Sequence, residues 1–156
     1  MKRYRPWTKL TIVCDNDTHL IGAAQVRTGP CNDAPDFSPA VTQAVDHFAI
    51  DRLLGDGAYD AELHHRLCRE ELGIRSTVIP VNTRGRKGRA SGRYRRQMQN
   101  RFPRRIYKQR WQAESVFSRF KRLFGDALTA RTPCGRTREC LYRVLAHDLS
   151  ILRRAS

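Results

Sequence analysis

Tyr107-Lys-Gln-Arg110-Trp-Gln-Ala-Glu114-Ser-Val-Phe-Ser-Arg-Phe-Lys121 holds the one acidic residue between Glu71 and Asp126, at the end of a run of twelve arginines and lysines that starts at Arg84. From about Arg105 to Phe124 there is no internal Gly or Pro. Pro103 lies just before this segment and Gly125 just after it, so the pattern predicts a helix with a glycine stop. At about 100° per residue, Ile106, Ala113, Phe117, Phe120 and Phe124 share an apolar stripe. Tyr107, Arg110, Glu114 and Lys121 form a narrower stripe beside it, within roughly 60° of arc. The plain reading of Glu114 is a solvated acid paired with Arg110 one turn away, worth about 0.3–0.5 kcal/mol. The alternative is that this carboxylate has a chemical task.

Charge is segregated along the chain. Residues 1–80 carry nine Lys/Arg against eleven Asp/Glu, whereas residues 81–156 carry twenty-one against four, for a net charge of +15 over 156 residues. Such polarity, dominated by arginine, selects a polyanion as partner and favours phosphate recognition. A hydrophobic fraction of 40% with 29% charged residues is a globular composition, with length enough for one domain with a core. No apolar run nears the roughly 20 residues of a membrane helix, and the basic N-terminus is followed by no signal-peptide core. Cys14, Cys31, Cys68, Cys134 and Cys140 are odd in number and lack a C-x2-C pair, which points to a reducing, cytoplasmic setting. Cys134, Cys140 and His147 match no standard zinc spacing.

Along the chain, Thr8–Cys14 alternates and is rich in β-branched residues, predicting a strand. Asp15-Asn-Asp17 turns it into an antiparallel partner over Leu20–Thr28. Gly29-Pro30 opens a loop. A helix is expected from Ser38 or Pro39 to about Ile50, then a short buried strand at Arg52–Gly55. Asp60 is placed to cap the next helix, with Leu63, Leu67 and Leu72 inward and Gly73 as the stop. Ser76–Val81 reads as an edge strand because of Pro80. From Asn82 to about Asn100 the composition turns to Gly, Arg, Ser and Gln without apolar periodicity, predicting a basic loop. Thr132–Gly135 is a connector, and a last helix opens near Thr137 with Leu141, Val144, Leu145, Leu149 and Leu152 buried. Strands alternating with helices after a hairpin predict an α/β fold whose sheet is part antiparallel and part parallel.

Leu54-Gly-Asp56-Gly-Ala-Tyr-Asp60 puts a carboxylate just past a strand end, where α/β folds collect reactive groups. Alone, the motif favours a turn with a helix cap. Together with the spacing Y-x2-R-x3-E-x6-K over Tyr107–Lys121, it resembles the IS4/IS5-type DDE transposases. The stretch R-W-Q-A-E-S-V-F-S-R-F-K and the hairpin and loop before Asp56 are similar to that family too, so the resemblance spans essentially the whole chain. It implies an RNase H-like α/β domain over residues 1–156, a mixed sheet flanked by helices, with a basic insertion at about 82–104. It further implies that Asp56 is the second catalytic carboxylate and Glu114 the third. Both would hold divalent ions, Mg²⁺ or Mn²⁺, for phosphoryl transfer on DNA. Tyr107, Arg110 and Lys121, with Arg104 and Arg105, are the implied DNA contacts.

The family pattern departs in one place. Its first catalytic Asp rides on an opening, central strand that precedes a hairpin, and here the hairpin comes first. The expectation is therefore a chain lacking that strand, inactive alone, with an unpaired sheet edge that favours self-association or an N-terminal partner fragment. Asp15, at the hairpin turn, is the one stand-in for the missing Asp. The rival function is a non-catalytic basic nucleic-acid-binding protein, for which Asp56 and Glu114 are unrelated. An RNA nuclease of the same fold stays open, and a ribosome-associated protein leaves Glu114 without a purpose.

Overall fold

The alternation that predicts the first two strands is followed closely in a computed structural model, which describes residues 7–83, 85 and 88–155. Arg84, Arg86, Lys87 and the basic N-terminal residues 1–6 lie outside the described residues. The elements are β1 (Thr8–Cys14), β2 (Ile21–Thr28), α1 (Ala34–Val45), β3 (Arg52–Leu54), α2 (Glu62–Arg66), β4 (Ser76–Val78), α3 (Arg93–Asn100), α4 (Arg104–Tyr107), α5 (Trp111–Phe124) and α6 (Pro133–Ala155). The fold is mixed α/β, and the chain divides into two compact units: Met1–Asn32 with Gln112–Ser156, and Asp33–Trp111. Among the described residues the strands do not join into the expected single mixed sheet. The described strands form two separate two-stranded ribbons, β1–β2 antiparallel and β3–β4 parallel.

In the first unit the hairpin pairs Thr8 with Thr28 and Ile12 with Ala24, with an irregularity at Val13/Cys14. Its turn is closed by the Asp15 carboxylate, which accepts from Thr18 N (2.8 Å) and Thr18 Oγ1 (2.7 Å). Period-two alternation puts Leu10, Ile12 and Cys14 on one face, packed against the buried cluster of Ile21, Val116 and Phe120. Val116, which the predicted stripe omits, is the fully buried residue of α5; Phe120 also turns inward. The predicted helix begins one residue early at Arg104 and passes through a 3₁₀ turn at Lys108–Arg110. It stops where expected, at Gly125 with φ +73°.

The last helix corrects the sequence reading twice. It starts at Pro133, with Thr132 Oγ1 accepting from Gly135 N at 3.1 Å, so proline occupies a first-turn position that needs no N–H. Its expected core leucines Leu141, Leu145, Leu149 and Leu152 are instead 45–56% exposed, while Cys140 and His147 are buried and Val144 packs against the core. Remote bonds set this rotation. The Asp148 carboxylate accepts from Ile21 N at 3.1 and 3.2 Å, and Arg119 Nη2 donates to Ser150 Oγ at 3.0 Å. Glu139 takes the N–H groups of Thr129 and Ala130, and Arg143 donates to the carbonyls of Gly125 and Ala127. The connector is thereby clamped onto the helix.

In the second unit, β3 and β4 pair Leu53 with Thr77 and Leu54 with Val78. Around them Phe37, Ala40, Val41, Ile74, Val78 and Ile79 are buried. α1 starts at Ala34 and ends at Val45, several residues earlier at both ends than expected. Pro35 suits its first turn, and Pro39 sits inside at the loss of one hydrogen bond. In α2 the inward face is one residue out of phase with the expectation: Leu63 is 64% exposed, while His64, His65 and Cys68 are buried. His64 stacks on Phe37 with ring centroids 4.2 Å apart and bonds Tyr59 O at 2.7 Å. A π turn over Leu67–Glu71 then leads to Gly73 at φ +68°, the predicted stop. The basic segment expected to be a loop contains α3, whose Tyr94 and Met98, one turn apart, are both buried.

His65 Nδ1 lies 2.8 Å from Thr77 Oγ1 in this core, and its Nε2 has no partner. Burial first, then the Arg69 guanidinium, pushes its imidazole from 6.5 down to about 4. The folded state therefore binds fewer protons than the unfolded chain between these values. His65 withdraws no stability above the unfolded pKa and withdraws it progressively as pH falls towards 4. Calorimetry should show the melting temperature falling from pH 6.5 to 4.5, with a total loss on the order of 3 kcal/mol by pH 4. His65→Gln should flatten that slope.

Candidate active site

Asp56 is positioned by the end of the parallel ribbon. Gly55 N donates to Val78 O at 3.0 Å, the last bond of the ladder. A Cβ at Gly55 would lie 3.0 Å from Ile79 Cγ1, so only glycine packs here without displacement. Asp56 is extended (φ −71°, ψ 156°) and its Oδ1 accepts from Ala58 N at 3.1 Å, which fixes the Gly57–Tyr59 turn. Its side chain remains 56% exposed, with Oδ2 3.6 Å from Arg110 Nη1. The Arg110 guanidinium also lies over the Tyr107 ring, 5.8 Å from its centroid. Asp56, Tyr107 and Arg110, singled out from two distant motifs, thus meet within one unit.

Glu114 stands exposed in the first turn of α5, in the part of the chain that belongs to the other unit. Lys121, further along α5, pairs with Asp126 at 3.3 Å. Both side chains are well exposed, so that pair contributes little. Arg104, Arg105 and Lys108 are exposed on α4 and the turn after it, and Arg89, Arg93 and Arg101 are exposed before them. Trp111, also exposed, adds an aromatic face beside these cations, as sites that stack unpaired bases do. Its signal in the sequence was an aromatic embedded in the basic run. Asp15 is occupied as the hairpin-turn acceptor, and its bonds to Thr18 hold its carboxyl below the usual range.

Contrary to the sequence expectation, Asp60 does not cap α2; Ala61 occupies the cap position. The Asp60 side chain is 2% exposed. It accepts from Arg95 Nε and Nη2, each at 2.7 Å, and from Asn82 N at 2.7 Å. Two residues on, the Glu62 carboxylate receives the N–H groups of Tyr94 and Arg95, both at 3.0 Å, at the start of α3. Tyr94 Oη donates to Glu70, and Arg69 lies over the Tyr94 ring while bonding Gln97. The acids of the D-G-A-Y-D-A-E stretch therefore moor the basic segment. Arg95 is consumed internally, while its neighbours Arg93 and Arg101 face solvent. The spacing of Asp60 and Glu62 was the available signal, and nothing in it named Arg95.

Carboxylate oxygens are hard donors suited to Mg²⁺ or Mn²⁺, and the exposed Asp56 Oδ2 already faces a cation. Among the described residues no group of three or more His, Cys, Asp or Glu side chains is arranged to hold a metal, the Cys134, Cys140 and His147 set included.

Removing one partner of the buried Asp60–Arg95 pair strands the other charge. Urea unfolding of Asp60→Ala should show a loss of about 3–5 kcal/mol. The exposed substitution Asp56→Asn should stay within about 0.5 kcal/mol of wild type.

No solved structure matches the chain. The family model for the transposase DDE domain matches residues 1–149, so the chain belongs to the DDE transposase domain family.

Proposed function

We propose that this polypeptide is the Asp56- and Glu114-bearing part of an IS4/IS5-type catalytic domain, which holds DNA but does not complete strand transfer by itself. DNA transposition is the activity of the family to which the chain belongs, and divalent ions are its general cofactors. The observation that carries the finer reading is the approach of Asp56 to Arg110 at 3.6 Å, which joins the strand-end motif to the helix motif. No described helix is long and apolar enough to cross a membrane.

Each residue's part follows from its surroundings. Asp56 is held at the strand end through Oδ1, which leaves Oδ2 directed towards incoming positive charge. Glu114 offers a second exposed carboxylate from α5. Divalent ions, when bound by such carboxylates, activate the attacking oxygen and neutralise the leaving one. Arg104, Arg105 and Lys108, with Arg110 and Lys121, supply cations that neutralise DNA phosphates and position the duplex without reading sequence.

Two carboxylates of this sequence, Asp56 and Glu114, match the family's motifs.

Gel-shift titration should show DNA binding that weakens steeply with salt. Arg104→Ala and Arg105→Ala should each reduce the slope of log K against log[salt] by about 1. Mn²⁺ titration followed by electron paramagnetic resonance should show weak binding that Asp56→Asn and Glu114→Gln each diminish. Mn²⁺ binding indifferent to both changes would leave only the basic-binder function. Metal-dependent nicking of linear duplex by the purified chain, abolished by Asp56→Asn, would overturn the inactivity.

A further inference from the structure

The basic segment carries a helix that is fixed along one side and open along the other. At about 100° per residue, Tyr94, Arg95, Met98 and Gln99 share one half of α3, and each is engaged by its own unit. Tyr94 and Met98 are buried, and Arg95 is held by Asp60. Gln99 accepts from Ala90 N and donates to Gly88 O, both at 2.8 Å, which ties the preceding loop to the helix. Glu62 closes the N-terminus, and a Cβ at Gly92, where φ is +89°, would run into its carboxylate. The opposite half presents Arg93, Arg96, Gln97 and Asn100 within roughly 100° of arc. Arg93, Gln97 and Asn100 are exposed and Arg96 is half-buried.

We propose that this outer face of α3 enters the major groove of duplex DNA and reads base edges, so that the chain prefers a short sequence among the duplexes it holds. The inference rests on the DNA-holding function given above. Side-chain chemistry selects the groove. Arginine pairs with guanine O6 and N7, and asparagine or glutamine with adenine N6 and N7, patterns that are unique to each base pair only in the major groove. Charge selects the polymer. The sequence has no acidic residue from Arg89 to Arg110, and Arg89, Arg101, Arg104 and Arg105 stand exposed before and after α3. Such cations hold the phosphates that border the groove, while the helix between them meets the bases.

Dimensions agree with this placement. A helix roughly 10–12 Å across fits a groove about 12 Å wide. Arg93 and Asn100 lie at the two ends of the face, about 10.5 Å apart along the axis, or about three base-pair steps of 3.4 Å. Between them Gln97 Oε1 already accepts from Arg69 Nη1 at 3.0 Å, so its amide nitrogen is the group left to donate. Arg93 rests against the Tyr94 ring, 5.4 Å from its centroid, which steadies a long side chain. A segment that orders only on binding loses affinity to its own ordering, whereas α3 is built before DNA arrives.

Selection of the full chain on duplexes with a randomised window of roughly ten base pairs, at about 0.15 M salt, should enrich a guanine and an adenine about three steps apart. Changing either base pair should weaken binding on the order of 10-fold. Arg93→Ala should abolish the preference at the guanine alone and Asn100→Ala at the adenine alone, both with unchanged melting. For the wild type, 7-deazaguanine at the selected position, which removes the N7 acceptor and keeps base pairing, should erase the same preference. Arg105→Ala, by contrast, should weaken all duplexes alike. Equal affinity for every duplex, or a preference untouched by both α3 substitutions, would overturn the inference and leave the DNA-holding function standing. Tighter binding of duplex RNA, whose narrow major groove side chains cannot read, would overturn it too. A chain that binds no duplex at all would remove the DNA-holding function itself.

Discussion

A buried carboxylate bound by three N–H donors anchors the second unit. Asp60 loses its water and regains hydrogen bonds from one edge of the Arg95 guanidinium, through Nε and Nη2, and from Asn82 N. Such a pair adds little net stability against an apolar replacement, but it strongly penalises any arrangement that separates the partners. It therefore acts on conformation. The strand-end loop that displays Asp56, the start of the basic segment at Asn82 and the helix α3 are all referred to one side chain. Glu62 adds a second tie by capping α3, with negative charge at a helix start where the peptide dipole favours it.

This mooring governs how charge is distributed. The acids near α3 are engaged internally: Asp60 with Arg95, Glu62 with backbone N–H groups, and Glu70 with Arg66 and Tyr94. They are taken up by Arg95, Arg66 and backbone N–H groups, and Arg93, Arg101, Arg104, Arg105 and Lys108 stay exposed. A surface of this kind attracts polyanions over distances set by ionic strength. Asp56 differs from Asp60 by four positions and by its environment. One is solvent-facing and close to a single guanidinium, the other enclosed and saturated. That contrast separates a carboxylate free to exchange partners from one committed to the fold.

The first unit solves a different problem, the attachment of a long amphipathic helix to a two-stranded hairpin. A ribbon of two strands is marginal unless one face is packed, and α5 supplies Val116 and Phe120 for that face. α6 is held mostly through polar contacts at Glu139, Arg143, Asp148 and Ser150. Polar anchorage on one side leaves the leucines on the other, so the helix serves its own unit with its less apolar face.

Elements whose signal is local were legible in the sequence. The hairpin follows from period-two alternation with a turn at Asp15–Asp17, the stops after the π turn and after α5 from Gly73 and Gly125 at positive φ, and the strand before Asp56 from its short apolar run. The segregation of charge was likewise readable residue by residue, as was the membership of the DDE transposase domain family, through the resemblance of two motifs. Tertiary structure alone decided which side of α2 and α6 turns inward, the capture of Asp60 by Arg95, the helix within the basic segment and the split of the strands into two ribbons. The physical reason is that hydropathy counts His64, His65 and His147 as polar, whereas burial in the company of hydrogen-bond partners or aromatic rings makes them core residues. Helix phase is then set by bonds to distant backbone groups, which no local pattern encodes.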